Sequence, residues 1–478
     1  ATLKDKGVFV YSNDTTGNIT NSNPISSTGT IGSNIGIYSA GVVNNSGTIT
    51  FTGGKGNVGV YSTNSGTITN SGAITLGAST TTERSIGAVA NIGTINNTGN
   101  IVINGQYGLG LYSTGATSTI NNGANITLTG DETIGAYGAN GSNINLTSGT
   151  IASTGNKTTG YYLGSGIGST IASGAKINVT GNEANGIYVN SGANLTYTGE
   201  TKVTGDAAYG LIVDGSSTVN ATGGKVTIGG TSGVNGSSSG ANSNRGAAGL
   251  VVTSGSTLSG NNLNVIADVA GENSVGVYSA GSLAIDSANV SAYDSAVNFY
   301  TNGGTLSIGN NGGTSTVLTG TGANKGALMF YTPSGNILLN GPVNATVQGS
   351  TDTLKRGTAF YYTGGGTLGT ISSYTQLNPT AIASWARNRF GNGTTSTLGN
   401  LNLTMNQDSR LFLTEQVDVA LSNTSATSLF SGLSSTERPN ITGAGSGYRT
   451  FMLYHSHLNV DNAVNLDNTN DPYNLMEI

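Results

Sequence analysis

The chain has 478 residues with 77 glycines, 35% hydrophobic residues, only 8% charged residues and a formal net charge of -5. With 17 Lys and Arg against 22 Asp and Glu and no basic cluster, it lacks the electrostatic footprint of a nucleic-acid binder. No cysteine is present, which excludes disulfides and thiolate chemistry, and His455 and His457 are the only histidines, which leaves little for zinc or Ser-His chemistry. The modest charge sets the chain apart from disordered sequences and suits short strands separated by many turns.

The opening Ala1-Thr2-Leu3-Lys4 is no signal peptide, and the sequence reads as a piece of something longer. No apolar run is long enough for a membrane-crossing helix. From Gly7 onward one phrase recurs, glycine followed by an apolar residue and then usually tyrosine. It is clearest at Gly36-Ile37-Tyr38, Gly59-Val60-Tyr61, Gly110-Leu111-Tyr112, Gly135-Ala136-Tyr137, Gly160-Tyr161-Tyr162, Gly186-Ile187-Tyr188 and Gly276-Val277-Tyr278. Weaker copies at Gly7, Gly87, Gly210, Gly249, Gly326 and Gly357, with a degenerate one near Ala296, bring the set to about fourteen repeats.

Between these copies a second phrase alternates apolar and polar residues, as in Ser46-Gly47-Thr48-Ile49-Thr50 and Gly174-Ala175-Lys176-Ile177-Asn178-Val179. Alternation of this kind marks a strand with one buried face. Each repeat thus reads as two or three short strands that can bury their inner faces only by stacking on the next repeat. A coil of about 25 residues stacked at the inter-strand spacing of about 4.8 Å is a parallel β-helix, an all-β solenoid expected to wind right-handed. Regular coils are expected over residues 1–371, with an extra loop near 229–246. From 372 to 478 we expect an irregular continuation with wider coils and a short helix over 379–390, opened by Pro379 and closed by Gly391.

Alternation also assigns directions. If the residues after the glycine, such as Ile37, Val60 and Leu111, fill a narrow interior, then Tyr38, Tyr61, Tyr112, Tyr137, Tyr162, Tyr188 and Tyr278 point outward. Asn45, Asn70, Asn97 and Asn122 recur after the first strand and are expected to stack as amide ladders. Many of the few charges precede the repeat glycine, among them Lys55, Glu83, Arg84, Asp131, Glu132, Lys157, Glu183, Asp206, Arg245, Glu272, Lys325, Lys355 and Arg356, and should line one corner. The same corner carries the longest insertion, between Gly210 and Gly249.

The combination of Gly-Ile-Tyr-Ser with Asn-Ser-Gly-Thr-Ile-Thr, repeated about every 25 residues without cysteine, resembles the passenger domains of the very large fusobacterial outer-membrane autotransporter adhesins. The likeness covers roughly Gly7 to Ile371. It implies a type V secreted surface protein, held on the outer membrane by a C-terminal barrel. Its implied partners are host-cell glycans or receptors, including immune receptors, and other bacteria.

Within that expectation, partner contact is assigned to the insertion and its edge: Tyr188, Asp206, Tyr209, Val234, Asn235, Ser238, Asn242 and Arg245. No catalytic, metal or cofactor site is expected. Three alternatives are weighed against this. Glu183 and Asp206 on neighbouring coils could act as a glycosidase pair, His455 and His457 could share a metal, and the Thr-rich strands could form an ice-binding plane, although there the threonines are mixed with Ser, Asn and Ala. A purely structural spacer is the remaining alternative.

Overall fold

The computed structural model describes residues 2–3, 5–27, 29–229, 246–271, 274–293, 296–309, 316–320, 327–352, 355–362, 379–413, 419–421, 429–444 and 450–452. They fall into two compact units, one within Ala1–Gly224 and one within Lys225–Asn465. Both are all-β, with parallel sheets wound as a β-solenoid of about 25 residues per turn.

In the first unit every coil contributes three strands, giving nine parallel strands in each of three sheets. The coil starting at Gly36 shows the plan: Ile35–Ser39 carries the tyrosine, Val42–Asn45 ends in the asparagine, and Ile49–Phe51 completes the turn. We call the corresponding walls the tyrosine, asparagine and third sheets. Registers are strict, so that Tyr38 pairs with Tyr61, Asn45 with Asn70 and Ile49 with Ile74. Ile37, Val60, Leu111 and Ala136 from the first wall, Val43, Ile68 and Ile95 from the second, and Ile49, Ile74 and Ile101 from the third are fully buried. Each coil thus closes around a column of aliphatic side chains, and stacking supplies what a single repeat cannot bury.

The repeat glycine has a steric cause. A β-carbon on Gly110 would stand 2.4 Å from the carbonyl oxygen of Gly135 and 2.6 Å from Cγ2 of Ile126, and Gly87 and Gly135 are confined in the same way. Glycine is therefore required where the wall approaches both the next coil and the isoleucine opposite.

Inside the second turn of the coil, Asn21, Asn45, Asn70, Asn97 and Asn122 are buried, and each Nδ2 donates to the Oδ1 of the next at 2.7 Å. The same Nδ2 of Asn45, Asn70 and Asn97 also donates to the carbonyl of Gly47, Gly72 and Gly99 at 2.8 Å. The expected amide ladder is present, and it pays the polar cost of the turn internally.

The second unit keeps the plan with six, four and seven strands in the tyrosine, asparagine and third sheets among the described residues. Its first five tyrosine-sheet strands, together with the nine of the first unit, account for the expected fourteen repeats; the degenerate one near Ala296 is Val297–Thr301. Beyond 371 the solenoid goes on, with Val343–Val347 pairing to Leu401–Asn406 and then to Asn440–Ala444, and Thr358–Tyr361 pairing to Arg410–Leu413. The core here turns aromatic: Phe299, Phe330, Phe360 and Phe412 stack at 5.5 to 5.8 Å.

The helix Pro379–Arg389 buries Ile382, Ala383, Trp385 and Ala386. It presents Trp385 edge-on to Phe360 and Phe412 at 5.7 Å. The described asparagine sheet ends at Asn336–Leu339, and the helix lies beside that last strand. The free edge of that strand is covered by the following segment: Leu339 N–H donates to Thr397 Oγ1 and its carbonyl accepts from Asn400. Arg387 holds Glu437 through two 2.9 Å bonds, and the backbone N–H groups of Ser396 and Ser434 donate to the same carboxylate. Within the region expected to form wider coils, Thr450–Met452 pairs antiparallel with Val419–Leu421, a pairing that needs no crossover. His455 and His457 lie outside the described residues.

Candidate partner-binding surfaces

The tyrosines do leave the aliphatic column and stack from coil to coil. Tyr11, Tyr38 and Tyr61 are parallel at 5.3 Å, and Tyr137 and Tyr162 lie at 4.8 Å. Stacking of this kind uses the ring faces on one another and turns edges and hydroxyl tips outward. The row is also uneven. Tyr11 is 59% exposed and Tyr38, Tyr61, Tyr112 and Tyr137 are half-buried, whereas Tyr162 and Tyr188 are buried. Val89 interrupts it, in register between Tyr61 and Tyr112. At Gly160 the repeat carries two tyrosines, and Tyr161 takes the inner position beside the small Ala136, its hydroxyl donating to the Ile144 carbonyl at 2.8 Å. Burial pushes that hydroxyl's pKa well up.

The corner before the tyrosine strand is built by repetition too. Tyr107, Glu132, Lys157 and Glu183 sit at one repeat position with φ between 54° and 59°, and each donates its N–H to the next coil. Beside them runs a file of side-chain acceptors: Asp131 Oδ1 takes the N–H of Asn156, Asn156 Oδ1 that of Asn182, and Asn182 Oδ1 that of Asp206. Short carboxyl and amide side chains here bind the backbone of the next coil beside the left-handed residue, a structural task that accounts for Asp131. Arg84 occupies the same position and is only 7% exposed. Its Nη1 donates to the Tyr107 carbonyl at 2.8 Å, its guanidinium lies 5.7 Å over the Tyr107 ring, and burial lowers its pKa, with Glu132 partly opposing. Lys55 and Glu83 make an exposed pair at 3.4 Å.

Of the residues assigned to partner contact, three can be placed. Asp206 is half-buried at the end of the acceptor file, and Glu183 N–H donates to its carbonyl at 2.7 Å. Tyr188 is 5% exposed with its hydroxyl donating to Asp214, and Tyr209 is 1% exposed on a strand that is buried throughout. Neither tyrosine offers the aromatic surface anticipated for it, because strand neighbours and packing cover both. Val234, Asn235, Ser238, Asn242 and Arg245 lie outside the described residues, as do Glu272 and Lys325. Among the described residues no three His, Asp or Glu side chains come together as a metal site needs, and no helix is long and apolar enough to cross a membrane.

One surface escaped the sequence reading. The asparagine-sheet strands alternate buried Val43, Ile68, Ile95 and Ile120 with outward Asn44, Thr69, Asn96 and Asn121, and register sets these outward residues into one file. The signal was available in the second strand of each repeat, but only aligned across repeats. Comparisons of the chain with protein-family models, with curated proteins and with solved structures gave no match.

Proposed function

We propose that this chain is part of the passenger of a bacterial surface adhesin. It acts without catalysis, attaching its cell to host glycans or receptors or to other bacteria, and is held at the outer membrane by a barrel. The observation that carries the reading is the in-register repetition of outward side chains, coil after coil, around an interior filled by stacking alone. A surface that grows with the number of repeats suits many weak, simultaneous contacts, whose combined strength exceeds that of any one of them. The repeat phrases and the lack of cysteine agree with it.

Binding of the labelled chain to epithelial cells and to partner bacteria, read by flow cytometry, tests the reading. Saturable binding supports it. Absence of binding to every cell type points to a spacer, and product release from complex glycans that Glu183→Gln abolishes points to an enzyme.

A further inference from the structure

The outward file on the asparagine sheet begins at Thr20 and Asn44, passes Thr69, Asn96 and Asn121, and ends in the first unit at Asn220. Pairing registers run through all nine strands, and every position is Thr or Asn. All nine are exposed or half-buried. Among the described residues no other outward file compared with it is so uniform: on the third sheet the equivalent column is broken by Val102, Ala152 and Lys202, and in the second unit the asparagine sheet carries Ala284, Ser307 and Leu338.

The middle of the file is already ordered. Asn121 Nδ2 donates to Asn96 Oδ1 at 2.8 Å, Asn145 Nδ2 to Asn121 Oδ1 at 2.9 Å, and Thr170 Oγ1 to Asn145 Oδ1 at 2.7 Å. An amide has two N–H donors and two acceptor sites: Asn121 keeps one of each to serve a ligand, whereas Asn145 Oδ1 also takes the Thr170 N–H at 3.1 Å and leaves one N–H donor. The neighbouring column adds hydroxyls at Thr67, Thr94, Thr119 and Thr218 and amides at Asn18, Asn143 and Asn194, with Val42 between Asn18 and Thr67, and neither column holds a charge.

We infer that this file is a docking track for an extended, uncharged polysaccharide lying along the stacking direction. The inference deepens the adhesin reading by naming a ligand class for it. The track repeats an outward amide or hydroxyl about every 4.8 Å over nine coils, roughly 38 Å in all. A folded protein partner has no such period, whereas a chain of pyranoses offers hydroxyls at a step of similar length. The absence of charge on both columns selects a neutral polymer over a sulfated or acidic one. Side chains held in place by one another lose little freedom on binding, so weak contacts add along the chain.

The test uses the full chain with immobilised mannan, galactan and β-1,3-glucan as probes, dextran sulfate as competitor, and neutral oligosaccharides of increasing length. Asn96→Lys with Asn121→Lys puts two charged stems on the track. Thr75→Lys with Thr127→Lys puts the same two on the outward face of the third sheet. The wild-type chain and the third-sheet variant are expected to bind at least one neutral polymer, with affinity rising with oligosaccharide length, and the track variant to bind at least tenfold more weakly. Asn96→Ala with Asn121→Ala, expected to weaken binding at least threefold, serves if the lysine pair alters the melting curve. Any of four results overturns the inference: no neutral polymer retained, equal binding by the track variant, equal loss in the third-sheet variant, or displacement by dextran sulfate. Deleting Gly236 to Asn244 should leave polysaccharide binding intact, and its loss on that deletion would move the contact to the insertion. Cell binding measured alongside separates the two readings: if cells bind and the track variant binds them unchanged, the track falls and the adhesin reading stands.

Discussion

Replacing Asn97 by alanine should open the first unit at its fourth coil. Asn97 is buried, and its side chain makes three bonds: it donates to Gly99 O at 2.8 Å and to Asn122 Oδ1 at 2.7 Å, and accepts from Asn70 at 2.7 Å. Truncation leaves one amide hydrogen and two oxygens short of a partner in a dry turn, at about 1–2 kcal/mol each, so the loss is about 4 kcal/mol. For a unit of this size that corresponds to a fall of roughly 8–16 °C in melting temperature. Calorimetry of the full chain reads the shift, and hydrogen exchange should show faster opening at Ile95, Asn97 and Ile120 than elsewhere. Asn96→Ala, one residue away on the outward face, is the control and should change stability by less than about 1 kcal/mol. Asn97→Asp adds a sign: it can still accept from Asn70 but faces two oxygens, so protonation favours it, its folded pKa is raised, and its deficit shrinks as pH falls toward about 4. The reasoning fails if Asn97→Ala and Asn96→Ala cost the same, because the ladder would then contribute nothing beyond packing.

Gly110→Ala should be more damaging than alanine at an ordinary strand glycine, since backbone on one side and Ile126 on the other leave no room for a methyl group; a melting temperature within 2 °C of wild type, on the order of 1 kcal/mol, would contradict it. Tyr161→Phe leaves the Ile144 carbonyl without its side-chain donor and should cost about 1–2 kcal/mol by denaturant titration. In the wild-type chain a spectrophotometric titration should leave Tyr161 protonated after the exposed tyrosines have ionised. Glu437→Gln should lower the melting temperature of the second unit near neutral pH. Its carboxyl, held far below the ordinary value of 4.5 chiefly by the hydrogen bond from Arg387, gives stability that is present above that value and lost as pH falls below it. The gap between wild type and variant should therefore narrow in acid, and a constant gap from pH 7 to pH 3 would refute the assignment.

Period and alternation along the chain determined that this is a stacked β-solenoid, where its walls begin, and that Ile37 and Tyr38 face opposite ways, because these depend on strand geometry within a few residues, while the structure decided that Ile37 is the one inside. They also placed Asn45, Asn70 and Asn97 as a ladder, since equal turns at equal spacing must superpose. What tertiary structure alone decided is how side chains about 25 residues apart meet. Gly110 is obligatory because of Gly135 and Ile126, neither of them local to it. Tyr188 is buried although its Gly-Ile-Tyr phrase is that of the half-buried Tyr38. The helix at Pro379–Arg389 was legible from its cap and composition, but its entry into the aromatic core depended on Phe360 and Phe412 being drawn together by stacking. The uniform Thr and Asn file arises the same way: in one dimension its members are scattered among Ser and Ala, and only the register of nine coils gathers them onto one face.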